Sequence, residues 1–388
     1  DKQIEALRPL LGDDDLIIDA GNANYHDTNR RAEEAQNKPG HFLGIGVSGG
    51  SDGARNGPSI MGGGDKAAWD RVEEMLQAIS AKHEGTPCAT YMGAGGAGHF
   101  VKMVHNGIEY ADMQMIAEIY GFLRDGLQME ASAIGDVFAK WNEGPLSSYL
   151  IELSAAVAKA TDAETGKPVL DVSVDSAGQK GTGRWTAIEA LMIGSPVTAI
   201  DAAVAARNLS SRMDERRTGE DLFSAAPQTI DKSDLPLETL EQALLAGKIA
   251  CYAQGFAMLQ TASTEYDWGL PMAEIAKVWR EGCIIRSSML DDMATALDGN
   301  ENTNLMFTEP FTSLMKDSHN DLRHVVAQGS LSGNAVPALS AALSYFDIIR
   351  SSRGTANMVQ GQRDYFGAHS FKRFDKDGDH HGPWNEAH

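Results

Sequence analysis

Cysteine is scarce in this chain. The three thiols, at Cys88, Cys251 and Cys283, are too few for a disulfide framework and have no metal-ligand spacing. They read as buried thiols of a reducing compartment, and no metal site is expected. Positive charge is also short. Lys and Arg number 33 against 54 Asp and Glu, which leaves a net charge of −21 and argues against binding nucleic acid or an anionic membrane. An anionic small ligand would need cations gathered at its own site. No run of 18 apolar residues and no signal-peptide pattern is visible, so the expectation is a cytoplasmic protein. A dinucleotide fingerprint is missing as well: no early strand is followed by GxGxxG and a helix. GAGGAG at 93–98 does precede a helix, but it follows a weak strand and several sheet elements. It reads as a hinge into that helix.

What is present is a strand–helix alternation followed by a long helical stretch. The 388 residues allow two or three domains and a large core. Residues 4–11 read as the end of a helix and 16–19 as a short buried strand. The following AGNANY makes Asn22 and Asn24 ligand candidates, or equally turn asparagines. A polar helix over 28–37, a strand over 41–47, a helix over 67–79 and a strand over 89–92 complete an α/β pattern of parallel character. Its opening βαβ portion lies outside the chain as given. Ser48, Gly49 and Gly50 offer a hydroxyl and two unhindered amides, whereas Gly62–Gly64 reads as a turn. After residue 98 helices dominate, at roughly 98–128, 131–143, 145–159, 168–175, 184–193, 196–217, 235–263, 269–279, 286–297, 304–313, 315–330 and 336–351. The expected fold is an incomplete Rossmann-like α/β domain (1–97), a large all-α domain (98–355) and a C-terminal tail (356–388).

The chain is organised around GGAGHFVKMVHNGIEY, residues 95–110. On a helix, Lys102, His105, Asn106, Glu109 and Tyr110 share one face, and Val101, Val104, Ile108, Ala111 and Met115 fall opposite. Lys102 and Glu109 are two turns apart, so they are not a simple surface pair, although an ordinary polar helix face would look similar. Gly107 within the helix demands a packing reason. Two polar islands could gather positive charge: Lys180 and Thr182 in the glycine-rich AGQKGTGRWT, and Arg207 among alanines, the latter equally readable as a snorkelling surface residue. The tail from 356 is polar with interspersed aromatics, which suits either disorder or docking, for instance on a partner subunit. His380-His381 lacks the company that a metal would need.

IIDAGNANY, GVSGG, KMVHNGIEYADMQ, GQKGTGRWT, ARNLSSRMDER, YAQGF, GCIIRS and QRDYFGAH together resemble the signatures of the 6-phosphogluconate dehydrogenase family, in the family's order and up to about residue 370. These are decarboxylating enzymes of the pentose phosphate pathway and gluconate utilization. The resemblance implies oxidative decarboxylation of 6-phospho-D-gluconate to D-ribulose 5-phosphate with NADP. It implies Lys102 as general base and Glu109 as general acid. Asn22, Ser48, Gly49, Gly50, His105 and Asn106 would hold the sugar acid, with Asn22 also at the cofactor. Tyr110, Lys180, Thr182 and Arg207 would hold the phosphate. Arg363 and His369 would come from the other subunit of a homodimer with shared active sites. The family's glycine fingerprint for NADP is a departure here. Two alternatives stand beside this reading: a related beta-hydroxyacid dehydrogenase acting on an unphosphorylated acid, and a catalytically inactive homologue.

Overall fold

The computed structural model describes residues 1–300 and 302–384. The last four residues of the expected tail therefore lie outside the described residues.

Helix α1 (Lys2–Leu7) runs through a 3₁₀ turn toward strand β1 (Leu16–Asp19). Then come α2 (Tyr25–Ala35), β2 (His41–Gly44), β3 (Gly46–Ser48), α3 (Gly50–Asn56), β4 (Ser59–Gly63) and α4 (Lys66–Ile79). A small hairpin, β5 (Lys82–His83) and β6 (Thr86–Pro87), leads to β7 (Ala89–Gly93). Asn24 and Asp65 start α2 and α4 as side-chain caps, accepting from His26 N and Ala68 N. β1 and β2 pair in parallel, with Leu16 opposite His41. β4 is the middle strand of a second sheet, antiparallel to β3 and parallel to β7. The single strand expected over 41–47 is thus two strands in two sheets, hinged at Ile45. A bridge from Leu43 to Gly64 links them. Gly62 and Gly63, expected in a turn, end a fully buried strand instead. A Cβ on Gly62 would lie 2.2 Å from the Trp69 ring, so the missing side chain makes room for the indole of α4.

α5 (Ala97–Gly121) follows and passes into a π turn at Phe122–Gly126. It is buried on nearly every side from Ala97 to Ile119, so it is an internal axis rather than a helix with one wet face. Around it stand α6 (Ala131–Trp141), α7 (Tyr149–Lys159), the short α8 (Val169–Val172), α9 (Thr182–Met192), α10 (Thr198–Ser210) and α11 (Met213–Phe223). The helix expected over 196–217 breaks at Ser211-Arg212, where α10 ends and α11 starts. The long α12 (Leu237–Glu265) packs on α5 and on α15 (Phe311–Ser332). Between them lie α13 (Met272–Val278) and α14 (Met289–Leu297), then a 3₁₀ turn at Leu305–Phe307, so the 304–313 segment is only in part helical. α16 (Pro337–Ile349) and α17 (Ala356–Gly367) close the chain.

Contacts divide the chain into a first unit, Asp1–Leu343, and a second that begins at Ser344. The second unit is ordered around one carboxylate. Asp364 is buried and accepts from Ser370 N, Gly382 N, His381 Nδ1 and Trp384 Nε1 at 2.6–3.1 Å. The aromatic tail is therefore not plain coil, and His381 is bonded to Asp364. No helix of the described residues is long and apolar enough to cross a membrane.

Candidate active site

The site is built on the first four turns of α5, against which β3 and α9 pack. Gly107 permits the α9 contact. A Cβ there would lie 2.6 Å from Thr186 Cγ2, and Thr186 Oγ1 donates to the Met103 carbonyl at 2.7 Å. This crossing brings the start of α9 to α5, where Asn106 Nδ2 donates to Thr182 Oγ1 at 2.8 Å. From the other side β3 delivers Ser48. The next residue, Gly49, has φ +124, and a Cβ on it would stand 2.6 Å from the Gly282 carbonyl. Only glycine fits that approach. It ties GVSGG to GCIIRS.

Lys102, Ser48, His105 and Asn106 form one buried hydrogen-bonded group. Lys102 Nζ lies 3.2 Å from Ser48 Oγ and 3.3 Å from His105 Nδ1, and it donates to Asn106 Oδ1. Ser48 Oγ is 3.3 Å from His105 Nε2, and Asn106 Oδ1 is 3.0 Å from His105 Nδ1. A proton on Nδ1 facing Asn106 leaves Nε2 to accept from Ser48, whose oxygen accepts in turn from Lys102. Trp279 meets the His105 ring edge-on at 5.6 Å. Glu109 Oε2 stands 3.9 Å from His105 Nδ1, so the imidazole sits between amine and carboxyl.

Burial dominates the electrostatics. It lowers the Lys102 ammonium below the ordinary lysine range, with Glu109 pulling the other way. It holds His105 well below the usual imidazole value, and the Lys102 charge adds to this. It raises the Glu109 carboxyl, against the pull of Lys102 and Arg207. The amine is thus biased toward its neutral form and the carboxyl toward its protonated form.

These groups face a cavity of about 800 Å³. Asn22, Ser48, Gly49, Gly50, Lys102, Asn106, Glu109, Tyr110, Lys180, Thr182 and Arg207 all line it. His105 does not, being fully buried behind Lys102 and Ser48. Arg207 is no snorkelling surface residue: its guanidinium stacks 3.5 Å from the centre of the Tyr110 ring. Arg363 and His369 belong to the second unit and are exposed there, Arg363 bonded to Gln360 at 3.0 Å. Gln179, Met113 and Ile284 also line the cavity and were not anticipated. Gln179 sits beside the singled-out Lys180 and Ile284 inside GCIIRS, so both were within reach of the motifs. Met113 lies inside KMVHNGIEYADMQ, one helical turn beyond Glu109, and was within reach too.

The glycine run at 93–98 is used for packing. Gly96 N donates to Asn29 Oδ1 at 2.6 Å, and a Cβ on Gly98 would stand 2.4 Å from the Met61 carbonyl. It is a hinge against protein.

Comparison with known proteins agrees with this geometry. Residues 1–93 match the NAD binding domain of 6-phosphogluconate dehydrogenase, and residues 98–384 match the 6-phosphogluconate dehydrogenase C-terminal domain. An NADP(+)-dependent, decarboxylating 6-phosphogluconate dehydrogenase of Bacillus subtilis is 47% identical over 99% of the chain and 82% of its own length. An NAD(+)-dependent one from the same organism is 45% identical over 100% and 83%. The solved structure of Plasmodium falciparum 6-phosphogluconate dehydrogenase, studied with its cofactor NADP+ and with its substrate 6-phosphogluconate, superposes with a TM-score of 0.94. It is 40% identical and aligns over 99% of this chain and 83% of that one. On fold, motifs and sequence, the chain belongs to the 6-phosphogluconate dehydrogenase family.

Proposed function

We propose that the cavity carries out the oxidative decarboxylation of 6-phospho-D-gluconate to D-ribulose 5-phosphate and CO2, with NADP as oxidant. One observation carries the reading. A buried amine biased toward neutrality and a buried carboxyl biased toward protonation share one cavity, and Arg207 and Lys180 line it too.

Each step asks for that arrangement. A secondary alcohol yields hydride only as its proton leaves, so Lys102 Nζ takes the proton from the C3 hydroxyl. NADP, when bound, supplies the hydride acceptor. The residues here that fit its nicotinamide end are Ala20, Gly21 and Asn22, which follow the parallel strand β1 and line the cavity, with Val47 beside them. Oxidation leaves a ketone beta to the C1 carboxylate. Protonated Lys102 then stands against the oxygen that gains charge as CO2 departs. His105 and Asn106 hold the amine in place throughout. Glu109 delivers the proton to C1 of the enediol. The phosphate is held by Arg207, Lys180 and Thr182, at the start of α9 where helix amides favour an anion. Tyr110 fixes the plane of the Arg207 fork.

Two finer points extend the reading. Arg363 and His369 of the partner subunit would complete the site in a homodimer, consistent with their exposure on the second unit. A cytoplasmic location follows from the phosphorylated substrate and the nicotinamide cofactor. The test is a comparison of sugar acids. The protein is mixed with NADP and either 6-phosphogluconate or gluconate, and reduced cofactor is followed by absorbance. Reduction with the phosphorylated acid and little with gluconate is expected. Equal rates would favour a dehydrogenase of unphosphorylated acids, and none with either would favour an inactive homologue.

A further inference from the structure

Several buried carboxylates lie outside this chemistry, and one of them joins three elements. Glu189 is 4% exposed, and both its oxygens are engaged by residues from other elements. Tyr266, at the end of α12, donates to Oε1 at 2.7 Å. His26, near the start of α2, meets Oε2 at 3.1 Å. Because the Tyr266 hydrogen is committed to Glu189, Tyr25 must be the donor in its 2.9 Å contact with the Tyr266 oxygen. The chain of bonds is directional: Tyr25 to Tyr266 to Glu189, and His26 to Glu189.

The two ends of this network stand on elements whose neighbouring residues line the cavity, although Tyr25, His26, Tyr266 and Glu189 do not line it themselves. His26 is held to the Asn22–Asn24 turn, because its own backbone N–H donates to Asn24 Oδ1 at 3.0 Å. Asn22 lines the cavity. Glu189 lies on α9, one and two turns beyond Thr186 and Thr182 on the same face, and α9 begins at the opposite wall. Both α2 and α9 pack on α5, α2 through Tyr25 against Phe100 at 5.0 Å and α9 through Thr186. The His26 contact with Glu189 spans directly between them, with the Tyr25 phenol close to the same carboxylate. The His26 side chain is itself 64% exposed.

We infer that Glu189 is a positioning residue. Through His26 it holds the Asn22 turn at a fixed spacing from the Thr182 end of α9, and so sets the width of the substrate cavity. This rests on the cavity being the sugar-acid site. The groups facing the His26–Glu189 contact are Tyr25 on α2 and Tyr266 on α12, with Glu265 beside Tyr266.

The test measures KM and kcat for 6-phosphogluconate, with calorimetric affinity and thermal melting, in Glu189→Leu, Glu189→Gln and His26→Gln. Glu189→Leu should raise KM about tenfold, the scale of one lost charged hydrogen bond, with kcat within about twofold. His26→Gln should raise KM less, about threefold. Glu189→Gln keeps an oxygen for Tyr266, so it should melt like the unaltered protein and raise KM less than Glu189→Leu. A lowered melting temperature with KM unchanged would overturn the inference, as would a His26→Gln KM equal to that of the unaltered protein. Absence of 6-phosphogluconate binding by the unaltered protein would instead remove the substrate reading beneath it.

Discussion

Two lysines are buried in the helical region, and they are surrounded differently. Lys248 of α12 is fully buried and held by both oxygens of Asp112 of α5, at 2.6 and 2.8 Å. Lys102, 6% exposed, bonds only neutral groups: a hydroxyl, an amide and an imidazole kept neutral by burial. Glu109 acts on it from beyond His105. A buried ammonium with a matched carboxylate is a structural tie between helices. A buried amine with neutral partners is destabilised in its charged form and gives up its proton readily. The same side chain is tied to a carboxylate in one place and, in the proposed mechanism, serves as a base in the other.

The largest effect should come from removing the base. Lys102→Met is expected to lower turnover by about 10²–10⁴-fold, the usual span for a positioned acid/base group, while melting and substrate affinity change little. Turnover within tenfold of the unaltered enzyme would break the comparison at its catalytic end. At the structural end, Asp112→Leu leaves the Lys248 charge unmatched and should cost about 3–5 kcal/mol by denaturant unfolding. Adding Lys248→Met should recover most of it, since an uncharged pair of similar volume carries no desolvation cost. A double variant as unstable as the single one would show that the pair is not the source. The smallest effect concerns the phosphate. Arg207→Ala should weaken 6-phosphogluconate about tenfold in calorimetry, the range for a charge-assisted hydrogen bond, and leave gluconate unaffected.

Much of this was legible in the residues. Period-3.6 counting placed Lys102, Asn106, Glu109 and Tyr110 together, and the cavity gathers them. The opposite flank of Val101, Val104, Ile108, Ala111 and Met115 is buried as its spacing implied, and most of the polar flank is enclosed too, because a helix buried on nearly all sides carries polar residues wherever an enclosed site needs them. Gly107 pointed to a close approach, and Thr186 is what approaches. Gly62 and Gly63 misled because a glycine beside a buried tryptophan in a strand has the same local appearance as a turn. The break between α10 and α11 falls at Ser211 and Arg212, which individually tolerate a helix. The tail was hard to read since its order depends on one carboxylate, Asp364, gathering donors from up to 20 residues away. Glu189 gave no signal at all: its partners lie 163 and 77 residues away in sequence.

The central claim is that Lys102 is a base because it is buried among neutral groups. The most direct measurement is the titration of its amine, followed by NMR with labelled lysine and assigned by the signal lost in Lys102→Met. The account predicts a titration clearly below the ordinary lysine value of about 10.4. A Lys102 amine that titrates at or above that value would contradict it.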